Sequence, residues 1–313
     1  YAPLTAGDIL NVSTNNFVKA QTLEADKIVS GMSFGNSIDT TEFAGDVIVG
    51  APYYIDDNNQ EGAVYRFTNS GTNYGIIIGT NDCNLTVETA TSTRGMLING
   101  YLVPLIAGNA DDISTLINQS NITNVTSSAL NGKLIIQLIN VDIAVPNNKL
   151  VLSVLDEAVL TELGIDLYTQ TQLIECPHVG QRTQFGYTVK YNNQGSFVAS
   201  ARTGTRFTST TFDFSDDTID NDTVFDNNTT QWIDTFANAG AVYMFDYLSV
   251  DNESLTSPGR YTYAQSVNAI DLDYGTQPYY GTALDFDNTT VIIGTPNFKP
   301  NVTNGQVVVY ENV

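Results

Sequence analysis

Three hexapeptides of this chain nearly coincide: GAVYRF at 62–67, GAVYMF at 240–245 and GQVVVY at 305–310. A pattern written three times at unequal distances constrains the fold. Each copy must fill an equivalent place in a repeated supersecondary unit, and the extra length between copies must be insertion. The residues upstream extend the match, with FGNSIDTTEFAGDVIVGAPYY at 34–54, FGYTVKYNNQGSFVASARTG at 185–204 and YGTALDFDNTTVIIGTPNF at 280–298. Each reads as an aromatic-glycine pair, a short alternating strand, a polar turn, an apolar strand and a turn of small residues. The hexapeptide then supplies a third strand. Period-2 alternation between turn residues predicts antiparallel strands.

These units resemble the FG-GAP repeat of integrin-α-type β-propellers. Phe34-Gly35 and Gly50-Ala51-Pro52 match that motif nearly letter for letter. Tyr280-Gly281 with Gly294-Thr295-Pro296 match it closely, and Phe185-Gly186 matches its first half. The second unit departs from it at Ser200-Ala201-Arg202. The resemblance implies a mainly β fold, a partial or incomplete FG-GAP propeller of about three blades, against an ordinary β-sandwich as the alternative. Glycines suit tight turns and close backbone approach. FVKAQTL (17–23) and YTYAQSV (261–267) are expected as outer strands of the preceding blades. A propeller closes with about four blades or more, so missing blades are expected from a longer chain, or the sheets pack openly. The chain starts YAPLTAGD without an initiator Met, which reads as processing or as part of a longer polypeptide.

Two insertions explain the unequal spacing. The expected division is 1–83 for the N-terminal part of the propeller, 84–175 for an inserted α+β domain, and 176–313 for the C-terminal part. In the insert, Asn99-Gly100 and Asn131-Gly132 are hairpin signals. Ile113, Leu116 and Ile117 have helical spacing, with Asp111 and Asp112 in the first turn where the helix dipole favours them. A strand is expected over 149–155, and a helix over 156–165 with Gly164 at its C-terminal end. The β-β-α-β-β order, with TLIN, GKLII and TELGI as landmarks, resembles the flagellar hook IN motif. The second insertion, 207–239, carries seven Asp and no Lys or Arg. Phe225, Trp232 and Phe236 lie among its acids and read either as anchors for a partner or as rings pinning the loop to its own scaffold.

Chemistry is sparse. The loops DTTEFAGD, KYNNQG and DFDNTT stand where many FG-GAP repeats carry a calcium-binding D-x-D-x-D-G sequence, and none has that acid spacing with its glycine. Asp285 and Asp287 are a fragment of the pattern, so no metal or other cofactor is expected. The single histidine, His178, excludes a multi-histidine metal site, and neither a G-x-S-x-G nor a Walker sequence occurs. No catalytic residue is assigned. Cys83 and Cys176 flank the insert. They form a disulfide clamping its neck if their Cα atoms come within roughly 7 Å, or they are thiols of a protein assembled in a reducing compartment.

The chain has 34 acidic residues against 12 Lys and Arg, a net charge of −22. Such a field repels nucleic-acid phosphates, and no run of about 18 apolar residues suggests a membrane helix. A propeller with a hook-like insert is similar to the long virion structural proteins of contractile-tailed marine phages. LGIDLYTQTQLIECPHVGQRTQFGYTV and the stretch from AGAVYMF to YAQSV carry that likeness. It implies a non-enzymatic part of the virion tail, baseplate or fibre, whose partners are other virion proteins or copies of itself. The alternative is an extracellular, integrin-like adhesion propeller that binds a host-surface protein or glycan.

Overall fold

The computed structural model describes residues 21–41, 45–56, 59–60, 62–69, 71, 75–86, 95–140, 149–154, 157–177, 183–192, 194–203, 206–208, 233–236, 240–248, 260–268, 279–287, 289–296 and 305–311. These residues form several antiparallel sheets, none closed on itself, and two α-helices. The chain divides into two compact units. One comprises 1–24 with 69–169, the other 25–68 with 170–313.

The first unit contains most of the residues expected as an insert. Gly95–Ile98 and Tyr101–Pro104 form a hairpin turning at Asn99-Gly100, joined by Leu152–Val154 on its other side. Val125–Leu130 and Lys133–Leu138 form a second hairpin turning at Asn131-Gly132, joined by Ile76–Ile78. Both Asn-Gly pairs have positive φ at both residues. That is the two-residue turn whose twist matches the flanking strands. Between the hairpins, helix α1 spans Ala110–Gln119. Asn109 and Asp112 form a reciprocal capping box, so the first-turn amides find acceptors. Its apolar stripe, Ile113 and Ile117, packs with Met96, Ile98, Leu134, Ile136 and Leu150 in one core. Helix α2, Glu157–Leu163, ends at Gly164 in the left-handed region and contributes Val159, Leu160 and Leu163 to that core.

The second unit is built on three sheets made from the repeated strings. In the first, strands run in the order Ser37–Thr40, Val47–Ala51, Ala63–Asn69 and Tyr168–Glu175. The second follows the same plan with Phe185–Tyr191, Phe197–Ala201, Ala241–Leu248 and Arg260–Asn268. The third has Ala283–Phe286, Thr290–Thr295 and Gln306–Glu311. The expectation of YTYAQSV as an outer strand agrees with its place in the second sheet. FVKAQTL differs: 17–20 lie outside the described residues and Gln21–Leu23 form no strand. The fourth strand of the first sheet is Tyr168–Glu175, reached only after the other unit has been traversed. The boundaries therefore differ from those expected at 84 and 175. Ile76–Ile78 already pairs with the insert's hairpin, and residues 170–175 already belong to the sheet unit.

Consecutive sheets meet by a rule that the motifs make physical. Gly62, which opens the third strand of the first sheet, forms a bridge with Phe185 of the second. A Cβ on Gly62 would collide with the Phe185 backbone. Gly240, the equivalent residue of the second sheet, lies in the same way against the backbone of Tyr280 in the third. The motif glycines complete the contact. Gly186 lies against the Ala63 backbone, and Gly281 is so close to Ser200 that a Cβ would come within 2.7 Å of that side chain. The Phe185-Gly186 and Tyr280-Gly281 pairs thus dock on small residues of the sheet before them, where side chains would hold the backbones apart. Apolar residues fill the rest of each contact. Ile48 and Val64 pack with Phe185, Val189 and Phe197, and Val198 and Val242 pack with Tyr280, Leu284, Phe286 and Ile293. Each fully buried side chain of this kind contributes about 1.5–3 kcal/mol. Gly186→Ala is expected to lower stability by several kcal/mol, since it adds a backbone clash to an unfavourable φ. Gly195→Ala, at a similar φ with open space around it, should cost only about 1–2 kcal/mol. Comparative thermal unfolding checks the difference.

Candidate interaction surface

Strand alternation divides each sheet of the second unit into a leading face, turned toward the sheet before it, and a trailing face, turned toward the sheet after it. On the first sheet the trailing face carries Ser37, Asp39, Ile48, Gly50, Val64 and Arg66. The Ser37 hydroxyl donates to the Gly186 carbonyl at 2.9 Å, and an Asp39 carboxylate oxygen accepts from the Tyr191 amide at 2.8 Å. On the second sheet the Thr188 hydroxyl donates to the Thr282 carbonyl at 3.0 Å. Lys190 lies 3.8 Å from Asp39, adding a partly exposed ion pair at the first contact.

An ion pair is sealed inside the first contact. Arg66 and Asp46 are each 1% exposed, with Arg66 Nε donating to Asp46 Oδ2 at 2.8 Å. The guanidinium also lies 5.0 Å from the centre of the Tyr261 ring and 5.1 Å from that of Tyr247. Burial pulls the Arg66 pKa down, but the charge and hydrogen bond of Asp46, with the phenols of Tyr261 and Tyr247, together hold it above its ordinary value. Burial also raises the pKa of several phenols of this unit, Tyr191 and Tyr261 beside the pair and Tyr65 and Tyr243 away from it. Tyr65 is pushed up to about 12. Arg66 was legible as an anomaly, a charge inside the apolar string GAVYRF. Its partner Asp46, twenty residues upstream, was not.

The equivalent trailing face of the third sheet is open. Ile292 occupies the place of Ile48 and Val198, Val307 that of Val64 and Val242, and Val309 that of Arg66 and Met244. Ile48, Val198, Val64, Val242 and Arg66 are buried and Met244 is half-buried, whereas Ile292, Val307 and Val309 are 37%, 65% and 54% exposed. The signal for this surface was present in GQVVVY, where aliphatic residues occupy both faces of the strand.

The aromatic-glycine residues of the second and third sheets lie at the sheet contacts. Phe185 and Tyr280 are fully buried, and Gly186 and Gly281 make the close approaches described above. Phe34 packs edge-on against Tyr65 at 5.3 Å, and Gly35 donates to the Gly50 carbonyl. Ala51 and Pro52 are buried in the turn that Tyr54 closes by donating to the Ala51 carbonyl. Gly294 is half-buried and Pro296 exposed at the corresponding turn of the third sheet. The disulfide reading does not hold: Cys83 and Cys176 are both thiols. Each is buried in its own unit's core. Burial, with Asp112 adding to it, raises the Cys83 pKa. Trp232 and Phe225 lie outside the described residues, as does His178. Phe236 ends the strand Ile233–Phe236, which pairs with Arg206–Thr208 at the base of the acidic insertion.

Among the described residues no three His, Cys, Asp or Glu side chains gather as a metal site, and no helix is long and apolar enough to cross a membrane. Asp287, from the calcium-like fragment, accepts from the Thr289 and Thr290 amides, which lowers its pKa and makes it a turn cap. A cavity in the first unit is lined by Gln21, Asn81, Leu160, Gly164, Ile165 and Asp166. Its one carboxylate already accepts from the Thr80 hydroxyl at 2.7 Å. No protein-family model matches the chain, and no curated protein is detectably similar to it.

Arg66→Met strands the Asp46 carboxylate and should cost about 3–5 kcal/mol in thermal unfolding, whereas Arg66→Met combined with Asp46→Asn should cost markedly less. The raised phenol pKa values favour the neutral folded state. Their stabilisation is complete below the unfolded pKa of about 10 and is lost as pH rises toward the folded values. Unfolding midpoints should therefore fall above about pH 10. Absorbance titration at alkaline pH should show a set of phenols, Tyr65 among them, ionising only near pH 12 or on unfolding.

Proposed function

We propose that the chain is a non-enzymatic structural protein of a virion, a component of tail, baseplate or fibre in which FG-GAP-type propeller blades serve as a scaffold for protein–protein contacts. The observation that carries this reading is the repeated sheet contact. Aromatic-glycine pairs dock on the Gly-Ala turns of the preceding sheet at two successive junctions, as consecutive blades of a propeller do. The second unit spends its unusual residues, the Arg66–Asp46 pair and the tyrosines around it, on holding sheets together. An acidic surface with few lysines suits a particle component kept soluble by charge.

An integrin-like adhesion propeller would depend on acids held in calcium loops. Here Asp287 caps its own turn, which favours the virion reading over the adhesive one. Quantitative mass spectrometry of purified particles should find the chain at a fixed ratio to the other tail proteins. Its absence from particles, or a thermal midpoint that rises with added calcium, would overturn the proposal in favour of adhesion.

A further inference from the structure

The second unit uses one junction twice and presents both halves of a third. The trailing half is on the third sheet, where Ile292, Val307 and Val309 are exposed at positions occupied in the internal junctions by residues turned against the next sheet. Asp285 stands there at the place of Asp39, which accepts from the Tyr191 amide across the first junction, and Asp285 is exposed. The leading half is on the first strand of the first sheet. In the second sheet the docking positions are Phe185, Gly186, Val189 and Tyr191; in the third they are Tyr280, Gly281, Leu284 and Phe286, and all eight are buried. In the first sheet they are Phe34, Gly35, Ile38 and Thr40. Phe34 is half-buried, Ile38 is 59% exposed, and Gly35 and Thr40 are exposed. Gly35 also differs from Gly186 and Gly281 in having nothing within 4 Å of where a Cβ would sit.

We propose that copies of this chain associate head to tail, the first strand of one copy docking on the open face of the third sheet of another. The inference deepens the scaffold reading above and rests on its repeat geometry. Three arguments select a second copy as the occupant. The two open halves have the chemistry that the internal junctions pair, aliphatic side chains and an aromatic-glycine corner against a Gly-containing turn. Gly294 and Gly305 keep small residues at the places of Gly50 and Gly62, so backbones can approach there. Only the first strand of the first sheet is presented, since Val47 and Val49 beside it are already buried, and the first strand is the element that docks in both internal junctions. In the assembled junction Ile38 lies on Ile292 and Val307, and Asp285 accepts from the Thr40 amide. The contact is heterologous, so it propagates into a ring or a filament rather than stopping at a two-fold dimer. With a net charge of −22 on each chain, like-charge repulsion opposes it and salt relieves that repulsion.

Sedimentation of the full chain over a range of concentrations and salt tests this. The mass of the unsubstituted chain should rise with concentration beyond that of a dimer, and more readily at higher salt. Ile38→Arg and Ile292→Arg change exposed side chains, and thermal unfolding should show both variants folded. Each alone should remain monomeric, while their equimolar mixture should form a one-to-one dimer, since each keeps the half that the other lacks. A chain that stays monomeric throughout overturns the proposal. So does a loss of association in Ile292→Arg with none in Ile38→Arg, which would instead mean third sheets pairing face to face. Presence or absence of the chain in purified particles leaves these outcomes unchanged, so the two readings fail separately.

Discussion

The structure of the sheet unit depends on backbones approaching closely at the corners where one sheet meets the next. Phe185 and Tyr280 reach the preceding sheet only because Gly62 and Gly240 present no side chain there, and Gly186 and Gly281 close the same corner from the other side. Once the corner is fixed, alternation in each strand decides which residues face inward. Ile48, Val64, Val198 and Val242 then fall on the next sheet's first strand and are buried. A methyl group at the corner would push the sheets apart along their whole length, removing the contact on which this apolar burial depends.

The Arg66–Asp46 pair shows a different kind of constraint. Removing two charges from water is costly, and their attraction seldom repays more than that cost. A pair that is 1% exposed on both sides is therefore better understood as fixing register than as a source of net stability. It occurs in one junction only: Met244 and Val309 stand at the equivalent places in the other two sheets. The first junction is thus marked as distinct from the second, although the corner geometry is shared. The tyrosines around the pair serve both purposes, with rings over the guanidinium and bulk filling the space between sheets.

The insertion of a second folded unit leaves this scheme intact for a topological reason. The chain departs after the third strand of the first sheet and returns as its fourth, Tyr168–Glu175, so the sheet is completed by residues about a hundred positions away. The inserted unit closes its own core around helix α1 and its capping box, with Asn-Gly turns that set hairpin register locally. Each unit closes a core of its own, which allows one to be spliced into the other.

By itself, the sequence determined the elements whose signals are local. The Asn99-Gly100 and Asn131-Gly132 turns, the helix opened by Asn109, and the three-strand order of each repeated string were legible because backbone preference and period-2 alternation act over a few residues. It also marked where backbones must approach, through the glycines of its motifs. Tertiary structure alone decided what those glycines touch, that Asp46 would balance Arg66, that residues 168–175 would complete the first sheet, and that Cys83 and Cys176 would be buried thiols rather than a bridge. It alone decided that Val307 and Val309 would stay uncovered while Val64 and Val242 did not. An alternating strand reads the same whether or not another sheet lies upon it, because burial is a property of the neighbour and not of the strand.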